Sequence, residues 1–125
     1  MAERRDPTDA LIDAVIAWEA IFSVRTELGF RISTAIAILL HPPSQGRRQA
    51  RSRIAEIYQL RSSVVHGTAV RQTAISEACS DAIQITRDLL RAMIEQRPEL
   101  LKMTGEERSI EIVLGQATQP AIPAT

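Results

Sequence analysis

The sequence predicts an all-α fold: an up-and-down four-helix bundle with a short fifth C-terminal helix, in one domain over residues 1–115. Apolar residues recur at helical spacing along four long stretches, and proline and glycine lie mainly between those stretches. No stretch alternates apolar and polar residues as a half-buried strand would. With 125 residues, 45% of them hydrophobic, the chain can bury one core without disulfide or metal support.

The first helix is predicted to begin at Asp6 and Pro7, because aspartate is a good N-cap and proline fits the first helical position. Its apolar stripe runs to about residue 24 and consists of Leu11, Val15, Trp18 and Phe22, with Ile12 and Ile16 beside them. The second helix is predicted from about residue 27 to residue 40. It is apolar nearly all round, so we expect it to be the most buried.

Two prolines and a glycine in residues 41–46 predict a loop, which includes His41. The third helix is expected from about residue 47 to residue 66, with Ile54, Ile57, Leu60 and Val64 facing the core. Gly67 stands where a helix commonly ends on a left-handed residue.

A fourth helix is expected from about residue 73 to residue 96, where Pro98 stops it. Its predicted inward residues are Ile75, Ala78, Cys79, Ala82, Ile85, Leu89, Leu90 and Met93. Thr104 and Glu107 form a capping-box pattern that begins the fifth helix, predicted to end at Gly115. Residues 116–125 contain two prolines and little to bury, so a disordered tail is expected there.

Composition excludes several classes of function. Four aromatic residues are too few for a stacking platform on single-stranded nucleic acid. A single cysteine, Cys79, forms neither an internal disulfide nor a metal cluster, and we expect it in the core. No metal-ligand spacing or glycine-rich phosphate loop occurs, so no metal or other cofactor is expected. The polar start and the short apolar runs predict a cytoplasmic protein without membrane contact.

Net charge is zero, which argues against nucleic-acid binding by bulk electrostatics. Between residues 47 and 61, however, five arginines stand against one glutamate. Arg47, Arg48 and Arg51 are therefore candidate contacts for RNA phosphates, since the guanidinium group fits phosphate geometry. The alternative is compositional: all basic residues but one are arginine, as a GC-rich genome also produces. A helical DNA-binding domain is a further alternative, but the sequence has no helix-turn-helix pattern.

The strongest candidate for chemistry is the end of the third helix, where Arg61 and His66 precede Gly67. Arginine binds phosphate and histidine exchanges protons near neutral pH. Five residues rotate an ideal helix by about 140°, so the two side chains meet only around a cleft at the helix end, to which a second chain could contribute. Ser62, one turn before His66, shares its face. The alternative is that His66 only caps the helix and Arg61 is a solvated charge.

This segment, residues 60–67, resembles the signature of the HEPN superfamily, in which an arginine and a histidine four to six residues apart close a core helix. Residues 10–22, 27–33 and 57–67 together resemble the Apea-like HEPN domains, over about residues 8–97. The resemblance implies a HEPN-like helical domain acting as a metal-independent endoribonuclease, with the Arg and His of two protomers meeting in a homodimer. Many family members carry asparagine where this chain has Ser62.

The resemblance implies RNA as substrate, and an antitoxin or a fused domain as further partner, in toxin–antitoxin or antiphage defence systems. In this interpretation His66 is general base or acid and Arg61 holds the scissile phosphate, with Ser62 in support. The alternative is a non-catalytic HEPN-like dimer that serves as an interaction or nucleotide-binding module.

Glu19 is the remaining candidate, because it lies within the apolar stripe of the first helix. A buried carboxylate needs a partner, and Arg31 on the second helix is the predicted one. Such a pair either fixes the register of the two helices or lines the cleft and orients Arg61 or the substrate.

Overall fold

A computed structural model describes residues 6–22 and 28–118, which form five α-helices and one 3₁₀ turn. The helices are α1 (Pro7–Phe22), α2 (Leu28–Leu40), α3 (Gln45–Val65), α4 (Gln72–Glu95) and α5 (Gly105–Thr118), and the 3₁₀ turn spans Pro98–Lys102. These ranges contain no strand. The all-α prediction is confirmed.

The helices pack as a bundle around one core. The most extensive contacts join α1 to α4 and α2 to α3, and α5 lies against α1 and α2. Trp18 is fully buried, and its indole Nε1 donates a hydrogen bond to Thr86 Oγ1 on α4 at 3.0 Å. The fully buried large apolar residues are Leu11, Val15, Trp18, Phe22, Ile32, Ile36, Ile54, Ile57, Leu89, Leu100 and Ile112.

The starts of α1 and α5 follow the predicted capping chemistry. The Asp6 carboxylate accepts a hydrogen bond from the Thr8 N–H at 2.9 Å. Thr104 Oγ1 accepts from the Glu107 N–H at 3.2 Å, and Glu107 Oε1 accepts from the Thr104 N–H at 2.9 Å. This exchange is the predicted capping box, and each such cap contributes about 1 kcal/mol.

Two predictions need correction. The fifth helix, α5, has 14 residues and was predicted to end at Gly115. It continues to Thr118, so residues 116–118 of the predicted tail are helical, while residues 119–125 lie outside the described residues. Leu90 was expected inward but is 43% exposed, because Leu89 and Met93 set the buried face and residue 90 is turned about 100° from residue 89.

The predicted junction of the first two helices also lies partly outside the described residues, since residues 23–27 belong to neither range.

Arg108 on α5 binds the C-terminal end of α1 through hydrogen bonds. Its Nη1 donates to the Ile21 carbonyl at 2.9 Å, and its Nε donates to the Leu100 carbonyl at 2.7 Å. A helix end leaves carbonyl groups unpaired, and Arg108 satisfies one of them at α1. None of the described helices combines the length and apolar character needed to cross a membrane.

Candidate functional site

The end of α3 places Arg61 beside a carboxylate of α1. Nη2 of Arg61 lies 3.8 Å from Oε1 of Glu19, and the side chains of these residues are 23% and 28% exposed. The distance is too long for a hydrogen bond, so the attraction between them is electrostatic. Glu19 is therefore half-buried beside Arg61, where α1 contacts α3.

Tyr58, one turn before Arg61 on α3, holds the other oxygen of this carboxylate. Its hydroxyl donates a hydrogen bond to Glu19 Oε2 at 2.8 Å. Burial, followed by this hydrogen bond and the negative charge of Glu19, raises the pKa of Tyr58 to about 12. The phenol therefore remains a neutral donor across the physiological range.

Gly29 on α2 packs against the ring of Tyr58. A Cβ atom at residue 29 would lie 3.4 Å from Cδ1 of that ring, at the near limit of ordinary van der Waals contact. The α2 backbone therefore lies directly against the ring. The position of the Tyr58 hydroxyl thus depends on α2 as well as α3.

The predicted partner of Glu19 was wrong. Arg31 is exposed on α2 and makes no ion pair among the described residues. Glu19 instead contacts Tyr58 and Arg61 on α3. The prediction failed because an apolar stripe shows which face of a helix is inward, but it does not show which neighbouring helix supplies the partner of a charge on that face.

Arg61 also has an unsatisfied donor. Its Nε is buried and finds no hydrogen-bond partner within the described residues. Buried donors are nearly always paired with protein or water, so an orphan of this kind requires an explanation. The accessible surface of this nitrogen is below 1 Å², so an acceptor from outside reaches it only if neighbouring side chains move.

His66 lies five residues further on, at the end of the helix. It is the C-cap residue of α3, and its backbone N–H donates to the Ser62 carbonyl at 3.0 Å. Gly67 follows with φ of +78°, and the Gly67 and Thr68 N–H groups donate to Val64 and Ser63. These hydrogen bonds form a Schellman motif, and the left-handed residue predicted at Gly67 is confirmed.

The Schellman turn leaves the His66 side chain exposed, while Arg61 points toward α1. Ser62, which lies between these two residues in the sequence, is half-buried. In the described part of the chain, no hydrogen bond joins Ser62 Oγ, Arg61 or His66 side chains to one another. The chain thus carries the two predicted catalytic groups at one helix end without bringing them into contact.

The predicted RNA contacts on α3 have differing surroundings. Arg47 Nε donates to the His41 carbonyl at 2.8 Å and Nη2 donates to the Ile38 carbonyl at 3.3 Å, so this guanidinium caps the end of α2. Burial there lowers the pKa of Arg47. The Arg51 guanidinium lies 5.6 Å from the ring centre of Phe30, within cation–π range. Arg48 is exposed.

Four open clefts of similar size occur on the described surface, and neither Arg61 nor His66 lines any of these four. Among the residues that the structure describes, no three His, Cys, Asp or Glu side chains come together as metal ligands would.

Tyr58 is the residue of this site to which sequence reasoning assigned no role. Its spacing of three from Arg61 places both on one face of α3, which was a usable signal.

Compared with known proteins, the chain matches no family model, no curated protein and no solved structure. The resemblance of residues 60–67 to the HEPN signature therefore stays a prediction.

Proposed function

We propose that this chain is a metal-independent endoribonuclease of the HEPN type, which cleaves RNA as a cytoplasmic homodimer. The observation that supports this most is that an exposed His66 and a partly exposed Arg61 lie at the same end of α3. The accessible N–H groups of Arg61 can donate to an RNA phosphate, and the histidine offers proton transfer.

In the proposed reaction the ribose 2′-oxygen attacks the adjacent phosphorus. His66 removes the 2′-hydroxyl proton as general base, or, on the second protomer, protonates the departing 5′-oxygen as general acid. The new bond joins the 2′-oxygen to phosphorus, the bond from phosphorus to the 5′-oxygen breaks, and the products are a 2′,3′-cyclic phosphate and a 5′-hydroxyl. Arg61 holds the phosphate and stabilises the charge that develops on it.

Glu19 and Tyr58 act on this reaction through Arg61. The Tyr58 hydroxyl fixes Glu19, and Glu19 restrains the guanidinium from the α1 side. A restrained guanidinium loses less rotational freedom when it binds a phosphate, so less binding free energy is lost to ordering it. Ser62 is proposed to donate a hydrogen bond to the phosphate, and the exposed Arg48 to contact the RNA backbone.

A homodimer is part of the proposal because Arg61 and His66 diverge within one protomer. Two helix ends that face each other across a two-fold axis would supply two arginines and two histidines to one cleft. As in the family that residues 60–67 resemble, we propose a role as a toxin or antiphage effector, with an antitoxin or fused domain as a further partner.

The alternative function is a non-catalytic dimeric module that binds a protein or a nucleotide. It is favoured by the position of Glu19, whose carboxylate faces the Arg61 guanidinium and competes with a phosphate for it. If Arg61 serves mainly as one partner of the ion pair between α1 and α3, its position is explained without a substrate.

Incubation of the pure protein with mixed RNA and EDTA tests the proposal. Wild type is expected to fragment the RNA, His66→Ala is expected to be inactive, and Thr68→Ala, an exposed change two residues away, should behave as wild type. Intact RNA with every variant would favour the binding module. Fragmentation by His66→Ala at the wild-type rate would remove His66 from the chemistry.

A further inference from the structure

A cleft of about 420 Å³ lies between the end of α2, the first half of α3 and the second half of α4. None of the residues assigned to RNA cleavage lines it. Its volume is at the lower end of the range for pockets that hold small organic molecules.

The floor of this cleft is apolar and belongs to the core. Ile54 is 2% exposed and Ala92 is 6% exposed, and Leu39, Leu40 and Ile85 pack against the same core cluster. These side chains come from three helices, so packing of the bundle holds the floor in place. An aromatic or aliphatic group that entered the cleft would bury its surface on this floor, at roughly 25 cal/mol for each Å².

The helix ends that border the cleft offer few free acceptors. The Ile38 carbonyl near the end of α2 accepts from Arg47, and the Ala92 carbonyl near the end of α4 accepts from the N–H groups of Gln96 and Arg97. The acidic group of the rim, Asp88, accepts from the Gln84 side chain at 2.9 Å.

Hydrogen-bond donors, in contrast, remain without acceptors at the rim of the cleft in the described part of the chain. His41 and Arg91 line the cleft, and neither side chain makes a hydrogen bond or an ion pair within residues 6–22 and 28–118. The backbone of His41 is held in place, since its carbonyl accepts from Arg47 Nε at 2.8 Å. Arg53, the third cation of the rim, is bound by Asp81 at 2.8 Å.

We propose that this cleft binds a small organic anion, with its apolar body on the floor and its carboxylate or phosphate bound by Arg91 and His41. An imidazole donates a hydrogen bond in either protonation state, and a guanidinium donates two to one anionic group. The Asp88 carboxylate repels further negative charge, so the preferred ligand carries one anionic group. The proposal does not depend on RNA cleavage.

The test is a titration of the ¹⁵N-labelled full chain followed by NMR, with benzoate and phenyl phosphate as probes and benzyl alcohol as their neutral counterpart. Both anions are expected to shift the amide signals of Ala50, Ile85 and Ala92 saturably, and the stronger of the two identifies the preferred anionic group. Benzyl alcohol should bind about tenfold more weakly, since a charge-assisted hydrogen bond contributes about 1.5 kcal/mol or more.

Arg91→Gln should weaken anion binding about tenfold, whereas Arg87→Gln, one turn earlier on α4 and outside this cleft, should leave it unchanged. Ala50→Leu, which fills the cleft from α3, should remove binding of all three probes while the circular dichroism spectrum is retained. The proposal is overturned if no saturable shift occurs at these amides, if benzyl alcohol binds as well as the anions, or if Arg91→Gln binds them like wild type.

Discussion

The Tyr58 hydroxyl donates to one oxygen of Glu19, and the other oxygen of that carboxylate faces the guanidinium of Arg61. The three residues link α1 to α3 at the helix end that holds His66. Because Tyr58 also packs against Gly29 of α2, the position of Arg61 depends on three helices of the bundle.

The first prediction uses the fact that Tyr58 is the only tyrosine of the chain. Tyrosinate absorbs near 295 nm, so a spectroscopic pH titration reports this residue alone. The midpoint is expected near 12 rather than the ordinary 10, because burial and the Glu19 carboxylate disfavour the anion. Glu19→Gln should lower the midpoint, since it removes the negative charge. A midpoint near 10, with circular dichroism showing a folded chain, would contradict this environment.

The same shift predicts how stability changes at high pH. The raised pKa of Tyr58 in the folded chain means that its neutral form stabilises the fold fully below about pH 10, and that this contribution is lost as the pH rises from 10 to about 12. A pKa difference of two units corresponds to about 3 kcal/mol, which is more than the hydrogen bond contributes at neutral pH. In urea unfolding, wild type should therefore be more stable than Tyr58→Phe at the start of this range and less stable at its end. A constant difference between them across this range would show that the hydroxyl does not titrate with folding.

At neutral pH, Tyr58→Phe removes a donor from a charged acceptor while the ring still packs on Gly29. We expect a loss of about 1 kcal/mol in the free energy of unfolding. Ser63→Ala is the control, because the exposed Ser63 hydroxyl donates only to the Gln59 carbonyl of its own helix. Equal effects of the two substitutions would mean that the Tyr58–Glu19 bond contributes no more than a surface contact.

Periodicity was sufficient to predict the bundle, because the buried stripe of a helix follows from residues such as Leu11, Val15 and Trp18 within one segment. Caps were predictable for the same reason: Thr104 and Glu107 are only three residues apart. The contact of Glu19 with Tyr58 and Arg61 was not predictable, since it depends on how α1 and α3 are rotated against each other. The hydrogen bonds by which Arg47 caps the end of α2 could not be predicted from the sequence either.

Gly67 gives a prediction about the turn that exposes His66. Its φ of +78° is unfavourable for a residue with a Cβ atom, although no atom lies within 4 Å of a Cβ built there. Gly67→Ala should therefore cost about 1 kcal/mol of stability through backbone strain alone. Gly115→Ala, within α5 and without a positive φ, should be neutral or stabilising by up to about 1 kcal/mol. Thermal melts compare the two, and a neutral Gly67→Ala would contradict the left-handed turn.

The proposed nuclease activity leads to a specific prediction for RNA cleavage by Arg61 variants. Arg61→Ala should abolish RNA cleavage, and Arg61→Lys should recover only part of it, because lysine keeps the charge but not the two-pronged geometry that fits a phosphate. Arg87→Ala, an exposed arginine of α4, should cleave like wild type. Gel analysis of a labelled RNA should show products that end in a 2′,3′-cyclic phosphate, and their formation should persist in EDTA.

Sedimentation of the same variants completes this prediction. Wild type, Arg61→Ala and Arg61→Lys should all sediment as dimers, because the site combines residues of two protomers and the substitution changes its chemistry rather than its assembly. A monomeric wild type at tens of micromolar would contradict the composite site. Full cleavage by Arg61→Ala in the dimer would show that Arg61 serves the fold through Glu19 and does not bind the phosphate.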